Sequence, residues 1–312
     1  MDTIHKTVLL NETIEGLGLS KNKDFENFQS LNSEKIILDA TFGGGGHSFE
    51  ILKRYSNVKI IALDQDKSVW KKAKNRFRGL EKRIYFLNLN FRDLNIYFKR
   101  DVEGKEKVDA VIFDLGLSSD QLENSRRGFS FMRDEPLLMT MKENPTKKDL
   151  TAKDIVNTWS EESLANIIYG YGEEKFSRRI AKGIIEARLK NKIETTFDLV
   201  KIIEENVPAI YKRGRLHFAT KTFQALRIAV NDELGALETG LSEGFSVLKN
   251  GGRMAIISFH SLEDRIVKRF YKNKKEKSEA ILINKKPIIP KAEEVKNNRK
   301  SRSAKLRILE KI

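Results

Sequence analysis

The sequence predicts an α/β fold built on a mainly parallel sheet and interrupted by a helical insertion. Three observations predict it. From Lys35 to Gly116, short and nearly continuous apolar runs alternate with segments of helical period, the pattern of strands buried on both faces. From about Gln121 to Phe218 the helical period dominates and no strand stands out. A run of strong β character then returns at Arg253–Phe259.

The elements follow in order. Ile36–Asp39 is a first strand ending in an acid and a glycine cluster. Residues 47–55 carry helical spacing at Phe49, Leu52 and Tyr55, and Val58–Leu63 is a second strand running into Asp64. Lys67–Phe77 is a helix with Val69, Trp70, Ala73 and Phe77 on its apolar face; Ile84–Leu89 and Val108–Phe113 are further strands. In the helical block, Thr151 with Asp154 and Thr195 with Asp198 have capping-box spacing, with Asp in place of Glu. Ile180, Ile184, Ile185 and Leu189 form an apolar stripe. Asp232–Leu248 reads as a helix stopped by Asn250-Gly251-Gly252. Ala280–Asn284 and Leu306–Leu309 read as two last strands. The expected domains are residues 1–120 with 219–312, an α/β domain, and an inserted helical domain at 121–218.

Composition narrows the chemistry. The chain has no cysteine, which excludes disulfides, thiolate metal sites and cysteine nucleophiles. No apolar run approaches membrane-spanning length, and no signal-peptide pattern opens the chain; the expectation is a cytoplasmic protein. The net charge is +15. It is concentrated: Arg265 to Ile312 hold 17 Lys/Arg against 5 Asp/Glu. A basic terminal segment reads as a contact for a polyanion, most often nucleic acid, or as a solvated tail.

Asp39-Ala-Thr-Phe-Gly-Gly-Gly-Gly-His-Ser48 joins the first strand to its helix. Such a loop lets a ligand approach the main chain, and the helix behind it favours a carboxylate or phosphate. Asp64, eighteen residues after Gly46, stands where an acid accepts bonds from ribose hydroxyls. A P-loop needs Gly-Lys-Ser/Thr, which is absent here. The dinucleotide pattern G-x-G-x-x-G fails in both registers, at Ser48 and at Phe49. The remaining reading is S-adenosylmethionine. Asp39, Asp64 and Asp114 all end strands and are expected to line one edge of the sheet.

These residues resemble a known family, the bacterial ribosomal small-subunit RNA methyltransferase H family, also called MraW. The likeness runs from His5-Lys-Thr-Val8-Leu9 with Glu12, through the glycine loop, Asp64-Gln-Asp66, Phe113-Asp-Leu-Gly-Leu-Ser-Ser119 and Gln121-Leu122. It continues through Arg127-Gly-Phe-Ser-Phe131, Tyr171-Gly-Glu-Glu174, Thr222-Phe-Gln-Ala-Leu-Arg227 and Ser258-Phe-His-Ser-Leu-Glu-Asp-Arg-Ile-Val-Lys268. The resemblance implies a class I (Rossmann-like) S-adenosylmethionine-dependent methyltransferase fold with an inserted helical domain for substrate recognition. It implies methyl transfer to the exocyclic N4 of a decoding-centre cytosine, cytosine 1402, in the 16S rRNA of the small ribosomal subunit. Cofactor contacts carry over onto Gly45, Gly46, His47, Asp64, Phe91, Asp114 and Gln121, with Asp64 on the ribose and Phe91 and Asp114 flanking the adenine. The family also suggests a homodimer. One stretch departs from it: where the family usually reads Pro-Leu-Asp-Met-Arg-Met, this chain has Pro136-Leu-Leu-Met-Thr-Met141 followed by Lys142.

Asp114 is an expected catalytic residue, holding the amine or orienting the methyl. Many amino-methyltransferases place Pro-Pro-aromatic after this residue; here Leu-Gly-Leu follows, so the amine acceptor rests on the resemblance. No metal is required, because a sulfonium methyl is already an activated electrophile. Among His5, His47, His217 and His260 no pair has metal-ligand spacing. His260 is the candidate for a base contact, against a role in ordering its loop. Phe129 and Phe131, beside Arg126 and Arg127, suit either base stacking or core packing. Two other classes stay open: a non-catalytic ribosome-assembly factor keeping the cofactor fold, supported by the altered 137–142 stretch, and an oxidoreductase, opposed by the glycine spacing.

Overall fold

The computed structural model describes residues 7–19, 33–98 and 107–312; His5 lies outside them. The chain forms two compact units, one running to Leu117 and resuming at Leu234–Ile312, the other Ser118–Glu233.

The first unit is a seven-stranded sheet. Its strands are β1 (Lys35–Asp39), β2 (Val58–Leu63), β3 (Ile84–Leu87), β4 (Val108–Asp114), β5 (Leu248–Ser258), β6 (Ala280–Leu282) and β7 (Lys305–Lys311). They lie in the order β3-β2-β1-β4-β5-β7-β6. The first five are mutually parallel, and β7 runs antiparallel to both β5 and β6. Successive strand residues enter opposite cores. Ile37, Ile60, Ile112 and Ile257 pack in one, Leu38, Ile61, Val111, Phe113 and Ile256 in the other. Both faces are covered, so the strands read as unbroken apolar runs rather than alternating ones. The strand order reverses between β1 and β4, which opens the ligand crevice of such sheets at their carboxyl ends.

Two sequence expectations shift here. The helix after the insertion ends at Val247, before Asn250-Gly-Gly252. Those residues lie within β5, where Val108 pairs with Leu248 but Ala110 pairs with Arg253. The glycines form a bulge, not a helix stop; Gly251 has φ +76°. The basic C-terminal segment is also not a solvated tail. It forms a helix at Ala292–Asn297, a 3-10 turn at Arg299–Ser303 and β7, which is hydrogen-bonded on both sides.

The helical unit contains Ser119–Asn124, Ala152–Thr158, Glu161–Gly172, Ser177–Arg188, Thr196–Asn206, Ala209–Lys212 and Thr220–Asn231. Both Thr/Asp capping boxes form. Ile180 and Ile184 are buried, but Leu189 lies beyond the helix end and is 81% exposed. The unit extends past the expected boundary at 218. Helix Thr220–Asn231 buries Thr222, Phe223, Ala225 and Leu226. Its Gln224 donates to the Tyr171 carbonyl (2.9 Å) and its Lys221 to that of Glu173 (2.7 Å), both at the end of helix Glu161–Gly172.

The stretch that departs from the family is part of this unit's core. Leu137 and Met139 are fully buried and Thr140 nearly so. The Met139 N–H donates to the Arg127 carbonyl (2.7 Å), and the Arg127 guanidinium donates to the carbonyls of Met141 and Lys142 (2.8 Å each). Asn231 brackets the same turn, donating to the Met139 carbonyl and accepting from the Met141 N–H. Of the residues that differ from the family pattern, Thr140 is buried, Leu138 is half-buried and Lys142 is exposed.

Candidate active site

The glycine loop is shaped from below. Gly45 caps helix Gly46–Arg54 in the left-handed region, φ +68°. A Cβ there would meet the Phe42 ring at 2.5 Å and Phe77 at 2.9 Å; one at Gly46 would stand 1.8 Å from the Thr7 hydroxyl. Both positions require glycine for close approach, and Gly45 for its left-handed backbone as well. Phe42 belongs to an aromatic cluster with Trp70, Phe77 and Phe86. The loop's own amides are partly engaged: Gly43 N–H donates to Asp64 Oδ2 (2.9 Å) and Gly45 N–H to the Phe42 carbonyl (2.7 Å). Arg76 donates to the Gly44 carbonyl (2.8 Å).

The three strand-end acids have different tasks. Asp39 is 3% exposed and accepts from the Ser48 hydroxyl (2.5 Å) and the Thr41 N–H (3.3 Å). It ties the loop to its helix and is a structural acid. Asp64 accepts from the N–H groups of Asp66 (2.8 Å) and Gly43 (2.9 Å). A carboxylate offers about four lone-pair sites, so Asp64 retains acceptor capacity for hydroxyls. Burial pushes both acids up to about 6.

Asp114 is the exception. Its backbone N–H donates to the Thr41 hydroxyl (2.6 Å), which ties the end of β4 to the loop after β1. Its side-chain Oδ2 stands 3.7 Å from His47 Nδ1, beyond hydrogen-bond length. Its Oδ1 is buried and has no hydrogen-bond partner among the described residues. Burial, then the nearby charges of Asp39 and Glu263, push its pKa up to about 8. An unengaged buried carboxyl oxygen costs about 1–3 kcal/mol and calls for a reason. His47, buried in the first turn of its helix, and Asp114 are thus brought together at the crevice.

The other expected site residues have local roles as well. Phe91 opens a 3-10 turn after β3 and meets Phe113 edge-on at 5.5 Å. Gln121 belongs to the helical unit, where it completes a capping box with Ser118, its Oε1 accepting from the Ser118 N–H (3.0 Å). His260 is the N-cap of helix Ser261–Glu276. Its Nδ1 accepts from the Glu263 N–H (3.4 Å), and Glu263 Oε2 accepts from the N–H groups of Phe259 (2.8 Å) and His260 (3.3 Å). These bonds order the loop; the buried His260 Nε2 stands 3.1 Å from Glu263 Oε1. Sequence reasoning missed Thr41 and Arg76. Thr41 carries no signal beyond lying in the glycine motif, and Arg76 lies thirty-two residues from the carbonyl it holds.

A mixed seven-stranded sheet of this order, with a glycine loop after β1 and acids ending β2 and β4, defines a class I, Rossmann-like S-adenosylmethionine-dependent methyltransferase fold. The chain belongs to the MraW methylase family, whose model matches residues 2–312. It is 46% identical over 279 residues to "Ribosomal RNA small subunit methyltransferase H" of Persephonella marina, covering 89% of this chain and 93% of that one. A protein of the same name from Clostridioides difficile is 41% identical over 333 residues, covering all of both chains.

Proposed function

We propose that this protein transfers a methyl group from S-adenosylmethionine to the exocyclic N4 of cytosine 1402 in the 16S rRNA of the small ribosomal subunit. Methylation of small-subunit rRNA is supported by the relatives' names over the whole chain. The observation that carries the site is Asp114: a buried carboxyl with an unengaged oxygen, at the strand-order reversal and beside the glycine loop.

The residues fit the cofactor. Asp64 has lone pairs left that would take the ribose hydroxyls, Phe91 would flank the adenine with Asp114, and Gly45, Gly46 and His47 would hold the carboxylate at a helix N-terminus; Gln121 would be a further contact. The cofactor supplies a methyl group on a positively charged sulfur. The chain must then supply position and an acceptor. The lone pair of a cytosine amine is delocalised into the ring. An acceptor on its N–H localises that pair as the nitrogen becomes tetrahedral, and Asp114 Oδ1, buried and without a hydrogen-bond partner among the described residues, would be that acceptor. His260 keeps its helix N-terminus, and any contact with the base is through that ordered loop. The base leaves its stack to reach the site. The site is read as cytoplasmic and metal-independent, and the family suggests a homodimer. Among the described residues no helix is long and apolar enough to cross a membrane. The assembly-factor reading rests on the altered 137–142 stretch alone, and a methylated product in the test below would remove it.

The test is methylation of small subunits and of naked 16S rRNA by the purified protein, with the product nucleoside identified by mass spectrometry. N4-methylcytidine at that position is expected. A methyl group elsewhere, or none on either substrate, removes the reading.

Asp64→Ala is expected to weaken S-adenosylmethionine binding by about 1.5–3 kcal/mol, the size of a hydrogen bond to a charged group. Part of that loss comes through Gly43, whose N–H loses its acceptor. Asp64→Asn keeps one acceptor oxygen and should lose less. Calorimetry reads both, and unchanged affinity in Asp64→Ala would move the ribose elsewhere.

A further inference from the structure

The helical unit carries an aromatic and basic surface that the sheet chemistry does not use. The His217 ring lies between two others. Phe131 stacks on it at 4.4 Å and 7°, and Phe218 at 4.2 Å and 29°. Phe223, buried, meets Phe131 edge-on at 5.6 Å and anchors the column in the core. His217 itself is exposed and both phenylalanines are only partly buried. The His217 Nδ1 accepts from the Ala219 N–H (3.3 Å), which fixes the ring and leaves the proton on Nε2. Aromatic rings held this way are costly to leave in water without a use.

The segment that carries them is basic, although Glu204 lies near His217 and pairs with Lys212. Residues 207–231 contain five Lys/Arg and no Asp/Glu. Arg213 and Arg215, exposed in the loop leading to His217, make no ion pair among the described residues. One helical turn back, Tyr211 packs edge-on to Phe176 at 5.0 Å, and Lys175 lies over both rings. Aromatic faces interleaved with unpaired cations are what unstacked nucleotides bind: rings take the bases, and cations take the phosphates. A protein partner with an apolar face would not need so many cations.

We propose that the loop Arg213–Phe218, with Phe131, is a surface for single-stranded RNA, on which one base stacks against the ring column while Arg213 and Arg215 meet the flanking phosphates. The proposal rests on the rRNA substrate read above, and it adds a contact separate from the methyl-transfer residues.

The experiment measures binding of the full-length protein to a fluorescein-labelled single-stranded RNA spanning the target, across a salt series. Calorimetry with S-adenosylmethionine runs beside it. Wild type must bind the RNA and methylate the subunit; if it does neither, the functional reading fails rather than this surface. Given an active wild type, Phe218→Ala and His217→Ala should each weaken RNA binding about 5- to 100-fold, the scale of one base–aromatic stack. Cofactor affinity should not move. Arg213→Gln with Arg215→Gln should weaken binding and flatten the dependence of log K on log salt by about 1.4, at roughly 0.7 per single-strand phosphate neutralised. His217→Phe keeps a ring but loses the bond to Ala219, so it guards against misfolding in the alanine variants and should bind like wild type. Wild-type RNA affinity and salt slope in the alanine and glutamine variants would overturn the proposal. Equal loss in His217→Phe and His217→Ala would also overturn it, by assigning the effect to backbone support.

Discussion

Asp114→Asn is expected to lower the single-turnover rate of methylation at saturating cofactor by about 10²–10⁴, the range of a positioned proton acceptor, far more than it lowers cofactor affinity. Asparagine keeps the shape and one carbonyl oxygen but cannot take a proton. The Thr41 hydroxyl still holds the backbone of residue 114, through a bond that does not involve the side chain. A packing role alone predicts no such loss, so a wild-type rate in this variant removes Asp114 from the reaction.

The same carboxyl sets a pH dependence. In the free protein its pKa is pushed up to about 8, by burial first and by the charges of Asp39 and Glu263 after it. At neutral pH it is therefore mostly protonated, and the ionised acceptor becomes more populated as pH rises. The second-order rate for free enzyme should climb through pH 7, reach half its plateau near 8 and level about one unit above that. With the cationic sulfonium bound, an opposite charge favours the ionised form, so kcat should level at a lower pH. The stability sign is opposite. A carboxyl held above its unfolded pKa favours the fold below about 3.8, and that contribution is lost as pH rises through about 8. Asp114→Asn should thus melt higher than wild type at pH 8 to 9, with the gap closing toward pH 4. A gap that widens on acidification would contradict the burial argument.

The sheet was legible because its central strands are buried on both faces. Runs such as Val108–Phe113 have no other economical reading. What escaped depended on contacts that sequence spacing does not contain. Asn250-Gly-Gly252 stops a helix and makes a bulge equally well, and only pairing with Val108 and Ala110 decides between them. Asp39, Asp64 and Asp114 look alike at strand ends; the Ser48 hydroxyl, nine residues on, makes Asp39 structural. Helix Thr220–Asn231 is amphipathic enough to suit either unit, and its partner is helix Glu161–Gly172. Two local roles did leave a signal. Ser118-x-x-Gln121 and His260-x-x-Glu263 have capping-box spacing, which points to helix starts before it points to ligands.

Removing residues 285–312 is expected to abolish cooperative folding. The segment carries much of the chain's positive charge, which invites deletion as a test of RNA binding. But β7 is the strand between β5 and β6. Its loss uncovers the full edge of β5 and takes away the buried side chains of Ala304, Leu306, Ile308 and Leu309. Truncating a buried Leu or Ile to Ala typically costs about 2–5 kcal/mol, and a whole domain is stable by about 5–15 kcal/mol, so deleting three such residues with their backbone bonds exceeds the reserve. Arg307 and Lys305 are not spare cations either: both reach Asp264 on helix Ser261–Glu276, at 2.7 and 3.1 Å. The charge must be tested without the strand. Lys285, Lys286, Lys291 and Arg299 are exposed, and each change to Gln should move stability by no more than about 0.5 kcal/mol. If they face phosphate, the quadruple variant folds normally and its salt slope for RNA falls by about 0.7 for each phosphate no longer neutralised. An unchanged slope would assign the basic surface to solvation, and a truncated protein that melts at the wild-type temperature would mean β7 is not integral to the sheet.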